Sequence, residues 1–359
     1  YNVSLRNHEA RLIEVVSRRE IETMKFRHFN GVIDDKTLKV NHHPKNKIIN
    51  IALVGNPNCG KTTLFNSASG SRERVGNYTG VTVGAKKARF SHRGYLFNIT
   101  DLPGTYSITS YTPEELYVRR HIIQDIPDVV VNVLDASNLE RNLYLTTQLI
   151  DMDIKVVVAL NMYDELVRRG DRFDHQSFAK MIGIPIIPTV SSRGKGLKEL
   201  FDKIVDVFED NDEIVRHIHI NYGKIIEASI KKLQEKIKEA QNYGLTNVVA
   251  PRFLAIKLLE EDQDSIDMCA ACSNHKEIMA LVKEERRLIG EAYKENSESV
   301  ITDAKYGFIS GALRETIRPG MTERRRRSDI IDTFFTHRIW GFPFFIFFLW
   351  LMFEATFTF

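Results

Sequence analysis

Hydrophobic residues in the first half of the chain form short runs that alternate with longer amphipathic stretches. Between residues 48 and 201 the apolar runs are IINIALV, YLFNIT, DVVVNVLD, KVVVALN and IPIIPTV. Strand-length runs separated by helix-like segments are typical of an α/β fold with a mainly parallel sheet. Residues 82–90 and 95–100 flank the turn sequence His92-Arg93-Gly94, which predicts a hairpin and therefore one antiparallel edge.

From about residue 211 the period of the apolar positions changes to that of an amphipathic helix. Ile226, Ile230, Leu233 and Ile237 repeat at helical spacing, and Pro251 suits the first position of a further helix. The sequence HKEIMALVKEERRLIGEAYK supplies another amphipathic stretch. We therefore predict an α/β domain over residues 48–210 and a small all-α domain over residues 211–330.

The end of the chain is strongly apolar. Residues 339–353 (IWGFPFFIFFLWLMF) carry no charge, and RRRR occupies residues 324–327 just upstream. A bilayer span needs about 20 apolar residues, so we predict a partial transmembrane helix within a juxtamembrane segment at 331–359. A buried helix also suits an uncharged run, but Trp340, Trp350 and the arginines favour a membrane with residues 1–338 on its cytoplasmic side.

Charge and cysteine content indicate the partners and the cellular compartment of the protein. The 359 residues carry 50 Lys+Arg against 47 Asp+Glu, a formal charge of +3, which predicts no whole-chain attraction to nucleic acid. The three cysteines are too few for a disulfide framework and fit a reducing compartment. Cys269 and Cys272 form a C-x-x-C that is either part of a helix, a redox pair or half a zinc site. Polar residues 17–47 predict a linker, and the start at Tyr1 predicts a longer parent polypeptide.

A phosphate-binding loop follows the first predicted strand. Residues 55–62 (GNPNCGKT) match G-x-x-x-x-G-K-T between a strand and a helix, the context that this motif requires. Backbone N–H groups of such a loop point at phosphate, Lys61 neutralises the terminal phosphates and the Thr62 hydroxyl binds Mg²⁺. The motif predicts a nucleoside triphosphate and leaves the base open.

Three later segments, two tetrapeptides and one tripeptide, together indicate that the base is guanine. Residues 101–104 (DLPG) end a strand, where Asp101 can hold the Mg²⁺ shell and the Gly104 N–H can meet the γ-phosphate. Residues 161–164 (NMYD) end another strand, so Asp164 can accept hydrogen bonds from the two N–H groups of guanine. Adenine would leave that carboxylate unpaired. Residues 191–193 (SSR) can close over the base, and all three segments lie at carboxyl ends of strands.

The order of these motifs resembles the GTPase superfamily of translation factors and small G proteins. That resemblance implies that Thr82 is the switch threonine, which closes on Mg²⁺ when GTP is bound. A β-branched strand residue is the other interpretation of Thr82. Thr105 stands where many small GTPases have a glutamine that positions water, so intrinsic hydrolysis should be slow. Glu114 and Glu115 could orient water or simply open a helix.

A narrower resemblance covers nearly all of residues 48–210. GNPNCGKTTLFN, RVGNYTGVTV, DLPGTYS, NMYD and VSSRGKG are similar to the FeoB family of bacterial ferrous iron transporters. ITDAKYGFISGALRETI resembles that family's helical regulatory domain, and HRIWGFPFFIFFLWLMFEATF resembles the start of its membrane domain. YNVSLRNHEARLIEV, in residues 1–16, resembles the end of FeoA, a small β-barrel fused in front of some FeoB chains.

The resemblance implies a multi-pass parent in the bacterial inner membrane whose GTP state is coupled to Fe²⁺ uptake. Its expected partners are its own membrane domain, the lipid bilayer, an FeoA-like domain in cis and a second copy, with no nucleic acid. It also implies K⁺ activation, with Asn58 as the K⁺ ligand beside the backbone of residues 76–79. A plain turn residue is the other interpretation of Asn58. Most members have serine where this chain has Cys59, a position that acts chiefly through its backbone.

These motifs and resemblances define a set of predicted site residues. The catalytic residues are Lys61, Thr82 and Gly104, the Mg²⁺ ligands are Thr62, Thr82 and Asp101, and Asn58 binds K⁺. The residues expected to bind GTP or GDP and its ions are Gly55, Asn56, Asn58, Cys59, Gly60, Lys61, Thr62, Thr63, Gly80, Val81, Thr82, Asp101, Gly104, Asn161, Met162, Asp164, Ser191, Ser192 and Arg193.

Two other functions compete with transport. A membrane-anchored GTPase of ribosome or tRNA maturation would need an RNA-binding module after the α/β domain, such as a G-x-x-G loop or an aromatic platform, and the sequence has neither. The other alternative is an ATP-driven P-loop enzyme. The presence of Asn161 with Asp164, which favours guanine, argues against it.

Overall fold

The computed structural model describes residues 48–70, 76–77, 85–109, 111–216, 218–239, 243–318 and 341–358. The strands are β1 (Ile48–Gly55), β2 (Gly76–Asn77), β3 (Lys86–His92), β4 (Tyr95–Asp101), β5 (Val129–Asp135), β6 (Val156–Asn161), β7 (Arg172–Phe173), β8 (Ile186–Pro188) and β9 (Ile317–Arg318). The helices of the first domain are α1 (Lys61–Ser69), α2 (Pro113–Asp125), α3 (Leu139–Asp151), α4 (Tyr163–Arg168), α5 (His175–Ile182) and α6 (Leu197–Phe208).

The remaining helices follow the last strand of the main sheet. They are α7 (Lys224–Glu239), α8 (Tyr243–Thr246), α9 (Pro251–Leu259), α10 (Gln263–Cys269), α11 (His275–Tyr293), α12 (Ser297–Thr316) and α13 (Gly341–Thr358). The α/β fold followed by an all-α region is therefore confirmed. The short helix α8 begins at Tyr243, after α7 has ended at Glu239.

A seven-stranded sheet in the order β2-β3-β4-β1-β5-β6-β8 forms the centre of the first domain. Strands β4, β1, β5, β6 and β8 pair in parallel, and every residue of β6 is buried, as expected for a strand covered by helices on both faces. The predicted hairpin is confirmed, because β3 and β4 pair antiparallel around Arg93 and Gly94. All parallel strands therefore present their carboxyl ends at one edge.

The helical region packs directly on the first domain. Buried apolar residues of both, including Leu149 of α3, Ile226 of α7 and Ile309 of α12, belong to one continuous core. The rings of Tyr144 and Tyr306 stack across the boundary with centroids 5.0 Å apart. The two predicted domains therefore share hydrophobic contacts rather than only a linker.

A second, two-stranded sheet was not predicted. Strand β7, just after α4, pairs antiparallel with β9 at the end of α12. The Asp174 N–H continues the pairing with a 2.9 Å hydrogen bond to the carbonyl of Thr316. Two-residue strands have too little alternation to be recognised in a sequence, so β9 was missed within the predicted helical domain.

The apolar C-terminal segment forms helix α13, with strongly exposed aromatic side chains such as Phe342 (70% exposed) and Phe357 (80% exposed). Over the described part of the chain, no helix has both the length and the apolar character needed to cross a membrane. Residues 324–327 lie outside the described residues, as do the predicted FeoA-like segment 1–16 and the linker 17–47.

Candidate nucleotide site

The P-loop connects β1 to α1 at the carboxyl edge of the sheet. Gly60, the residue before α1, has a left-handed backbone with φ 83°, and a Cβ there would lie 2.2 Å from Nδ2 of Asn161. Only glycine fits this position, since a side chain would clash and strain the backbone. Asn58 is exposed in the same loop and also has a positive φ of 65°. Gly55 ends β1, and the exposed Thr63 follows Thr62 in α1.

The predicted phosphate and Mg²⁺ ligands meet at one point. Because β1 and β4 are parallel neighbours with Leu53 opposite Asp101, the P-loop and Asp101 leave adjacent strands together. The Lys61 ammonium contacts Asp101 Oδ1 and the carbonyl of Leu102, and the Thr62 hydroxyl donates to Asp101 Oδ2 at 3.2 Å. A carboxylate beside a hydroxyl offers the hard oxygen ligands that Mg²⁺ prefers.

The segment after β4 passes directly over the P-loop. A Cβ on Gly104 would lie 3.1 Å from Cα of Pro57, so the DLPG turn approaches the loop at backbone distance. The Thr105 N–H donates to the carbonyl of Gly55 at 3.0 Å. Its hydroxyl points inward, donating to the carbonyl of Ser107 at 2.5 Å, and Thr105 is only 3% exposed. The Thr105 side chain is thus engaged within the protein.

Asn161 ties the base-recognition segments to the P-loop. Its amide Nδ2 donates to the Cys59 carbonyl at 2.9 Å. Its Oδ1 accepts from the Ser191 backbone at 3.0 Å and from the Ser191 hydroxyl at 2.8 Å. Asn161 is therefore a bridge between three loops, while Asp164, with its side chain 38% exposed, remains accessible beside Arg193 at 3.9 Å. Met162 holds a left-handed backbone between them.

Several contributors to this site carry no sequence signal. Ser67 of α1 donates to the Ser191 carbonyl at 2.8 Å, and Thr189 donates to Asn161 Oδ1 at 3.4 Å. Asn56 donates to the carbonyl of Arg141 at 3.3 Å, and the Arg141 guanidinium lies 4.1 Å from the ring centroid of Tyr106. These contacts depend on which helices meet the loop, so no local motif reveals them. Ser192 is exposed.

The switch residues Gly80, Val81 and Thr82 lie outside the described residues. Cys59 is 1% exposed, and burial raises the pKa of its thiol to about 11. The thiol is therefore protonated at neutral pH, and the carbonyl of Cys59, rather than its sulfur, makes the contact with Asn161.

Comparison with known proteins identifies the family. A family profile described as ferrous iron transport protein B matches residues 49–204, and one described as the FeoB cytosolic helical domain matches residues 222–318. A GDP-bound variant of the S. thermophilus FeoB G-domain superposes with a TM-score of 0.66 at 33% identity, covering 75% of this chain and all of that one. This chain belongs to the FeoB family. Its first domain is a P-loop GTPase domain.

Other relatives agree with this assignment. The Fe(2+) transport protein A/Fe(2+) transporter FeoB fusion protein of Porphyromonas gingivalis is 46% identical over 324 residues, or 89% of this chain. Fe(2+) transporter FeoB of Escherichia coli K12 is 35% identical over 314 residues, or 86% of this chain. The cytosolic domain of T. maritima FeoB in its GMPPNP form gives a TM-score of 0.62 at 31% identity, covering 75% of this chain and 99% of that one. This chain spans 38% of the length of the two transporters.

In this FeoB-family chain, helix α2 anchors the segment that follows the DLPG turn. Glu115 accepts from the hydroxyls of Ser107 at 2.7 Å and Thr109 at 2.9 Å, and it forms a capping box with Thr112. Glu115 is therefore held by the loop and the helix start, which supports the helix-opening interpretation of Glu114 and Glu115 rather than water positioning.

One turn further along α2, the side chain of Arg119 contacts the helical domain. Its Nη1 donates to Asp262 at 2.7 Å and its Nη2 to the Ser265 hydroxyl at 2.5 Å. Asp262 also caps α10 by accepting from the Ser265 N–H. Burial would raise the pKa of Asp262, but the Arg119 guanidinium outweighs it and lowers that pKa. The carboxylate is thus held charged at the domain boundary.

A second buried network joins α3 to the helical domain. Asp151, at the end of α3, accepts from the Tyr222 hydroxyl at 2.6 Å and lies 3.5 Å from Lys305. Lys305 also contacts Glu260 at 2.7 Å. Burial would raise the pKa of Glu260, but Lys257 and Lys305 outweigh it and lower that pKa to about 2. Both domains therefore contribute charges to one buried network.

The C-x-x-C lies in the helical domain, where Cys269 ends α10. Cys269 and Cys272 are buried with their sulfurs 4.0 Å apart, and the His275 ring contacts the Cys269 carbonyl at 3.2 Å. Within the described ranges, no group of three or more His, Cys, Asp or Glu residues could hold a metal ion.

Proposed function

We propose that this chain is the GTP-hydrolysing region of a bacterial ferrous iron transporter, in which nucleotide state governs Fe²⁺ uptake. The observation that carries the proposal is the meeting of Lys61, Thr62 and Asp101 at one end of the site, with Asn161 bridging to Ser191 at the other. This arrangement separates a phosphate end from a base end at the carboxyl edge of the sheet. The RNA-maturation alternative is not favoured, because the matched families are those of FeoB.

The proposed roles of the predicted residues are those of a P-loop GTPase site. Lys61 would neutralise the β- and γ-phosphates, with Thr62 and Asp101 holding Mg²⁺. Gly104 would donate its N–H to the γ-phosphate, and Thr82 would close on the metal. Asp164 is exposed enough to receive the guanine edge. Mg²⁺ bound here would offset charge on the phosphates during transfer.

Hydrolysis by this site should be slow without further help. Thr105 replaces the glutamine of many small GTPases, and its inward-facing hydroxyl is not free to orient water. We propose K⁺ as the additional charge, with Asn58 as one ligand, because this residue is exposed in the P-loop. Hydrolysis measured in KCl should exceed hydrolysis in NaCl, and Asn58→Ala should remove the difference. Equal rates in both salts would refute K⁺ activation.

Helix α2 offers a physical route from the nucleotide to the rest of the transporter. It is bound to the post-DLPG loop through Glu115 and to the helical domain through Arg119. We propose that ordering of Gly104 by GTP shifts this helix and, with it, the helical domain. Distances between spin labels on α2 and α11 should change between GDP and GMPPNP. Identical distances in both states would exclude the relay.

The proposed setting is the bacterial inner membrane, with residues 1–338 on the cytoplasmic side. The partners are the membrane domain of the parent, the bilayer, an FeoA-like domain in cis and a second copy of the chain. Support for the FeoA-like domain comes from the name of the P. gingivalis relative. The apolar surface of α13 supports contact with lipid or with other membrane helices.

The decisive experiment is Fe²⁺ uptake into liposomes by the full-length parent with GTP, with ATP and with no nucleotide. We expect uptake only with GTP and its loss in Lys61→Ala. The matched control is Lys198→Ala, an exposed lysine on α6, which should leave uptake unchanged. GTP hydrolysis without iron movement would keep the GTPase and reject the proposed cargo.

A further inference from the structure

The small sheet formed by β7 and β9 places two arginines side by side. Arg172 of β7 and Arg318 of β9 are directly opposite each other in the antiparallel register, and Phe173 is opposite Ile317. Directly opposed residues point to the same face of a sheet, and successive residues point to opposite faces. Phe173 is buried and Ile317 packs against the core, so both arginines are on the outer face, where both are exposed.

This arginine pair, Arg172 with Arg318, is unusual in its charge environment. Like charges directly opposite each other in a sheet are destabilising. Both guanidinium groups belong to exposed residues, and the half-buried Asp171, which precedes Arg172, already has an interaction of its own. Nearby Asp174 is already committed to Ser177, whose N–H and hydroxyl it accepts at 3.0 and 2.7 Å. The surface therefore presents two adjacent positive charges to its surroundings.

The position of the arginine pair in the chain indicates what it meets. In the chain, Arg318 comes shortly before RRRR at residues 324–327 and before α13. Helix α13 exposes a nearly continuous apolar surface, which is stable only in contact with lipid or apolar protein. We propose that the arginine pair is a docking surface for the anionic phospholipid headgroups of the bilayer.

Such a surface would have a mechanical consequence. Each basic residue near an anionic leaflet contributes about 1 kcal/mol of attraction, which acts only within a Debye length of the lipid. Arg172 belongs to the GTPase domain and Arg318 to the end of the helical domain. Lipid bound to both would hold the two domains together at the membrane face.

The test uses the full chain with phosphatidylcholine vesicles that either contain or lack phosphatidylglycerol. The measured quantity is the ratio of the two partition coefficients, because α13 contributes to binding in both and cancels. Replacing both arginines (Arg172→Gln with Arg318→Gln) should lower this ratio by about 30-fold. The matched control, Lys198→Gln with Lys231→Gln, removes one exposed charge from each domain and should change the ratio by less than about 2-fold.

A second variant separates charge from folding. Arg172→Lys with Arg318→Lys retains both charges and should keep the wild-type ratio. Three results would each overturn the proposal. They are an equal fall of the partition ratio in the control double variant, an unchanged ratio in the arginine-to-glutamine variant, and a fall of the ratio in the arginine-to-lysine variant. Vesicle binding needs neither GTP hydrolysis nor Fe²⁺ uptake, so this test can fail or succeed whether or not the chain belongs to an iron transporter.

Discussion

Arg119 and Asp262 form a buried ion pair between the GTPase domain and the helical domain, with Nη1 2.7 Å from Oδ1. Their side chains are 0% and 4% exposed. Arg119 lies one turn after Glu115 in α2, and Asp262 caps α10. This ion pair therefore connects the helix that follows the DLPG turn to the first turn of a helix in the second domain.

Removal of this arginine should strongly destabilise the chain. Arg119→Ala would remove the guanidinium that neutralises the buried carboxylate of Asp262, which costs about 3–5 kcal/mol of unfolding free energy. Urea unfolding of the full chain measures this loss. The control is Arg120→Ala, whose guanidinium is 43% exposed and pairs with Asp264. This change should cost at most about 1 kcal/mol of unfolding free energy. Similar losses in the two variants would show that the buried ion pair contributes no more to stability than the exposed one.

Loss of Glu115 should loosen the segment after the DLPG turn. Glu115→Ala removes one half of the capping box and the acceptor of two loop hydroxyls, with an expected cost of about 1–2 kcal/mol. Amide hydrogen exchange of residues 105–109 should become faster. Glu114→Ala, which changes an exposed neighbouring carboxylate, should leave the exchange unchanged. Unchanged exchange in Glu115→Ala would mean that the loop is held elsewhere.

Exchange of one carboxylate for an amide should change base specificity. Asp164→Asn presents an N–H donor to the N–H groups of guanine and should weaken GTP binding by about 100-fold. Xanthine has a carbonyl in place of the guanine amino group, so binding of xanthosine triphosphate should improve. Competition with a fluorescent GDP measures both affinities. Glu165→Gln, on the same helix, should retain the preference for GTP, and retention in Asp164→Asn would refute the role of Asp164.

The buried thiol of Cys59 should make stability depend on pH in the alkaline range. Its pKa is raised from 9.0 to about 11 in the folded chain, so the folded state favours the protonated thiol. The stabilisation is complete below pH 9 and is lost as the pH rises towards 11. Relative to Cys59→Ser, the wild type should lose about 2–3 kcal/mol of unfolding free energy between pH 9 and pH 11. Parallel pH profiles from urea unfolding would contradict this burial effect.

Local motifs were sufficient to predict the α/β fold and the two ends of the nucleotide site. A P-loop requires only a strand, a glycine at a left-handed position and a helix start, and these are contiguous from Ile48 to Ser69. The DLPG, NMYD and SSR segments follow from the same rule, because parallel strands bring their carboxyl ends to one edge. The predictions for Lys61, Thr62 and Asp101 thus rest on short-range information plus sheet direction.

Contacts between the domains were decided only by the tertiary structure. Arg119 has no local feature that separates it from Arg120, yet one is fully buried and the other is not. Their difference depends on where α10 packs, 143 residues further along the chain. The pairing of β7 with β9 has the same origin, since two residues carry no periodicity of their own. The sequence by itself determined the nucleotide chemistry, which is local, whereas packing between distant segments decided which charges are buried and which face outward.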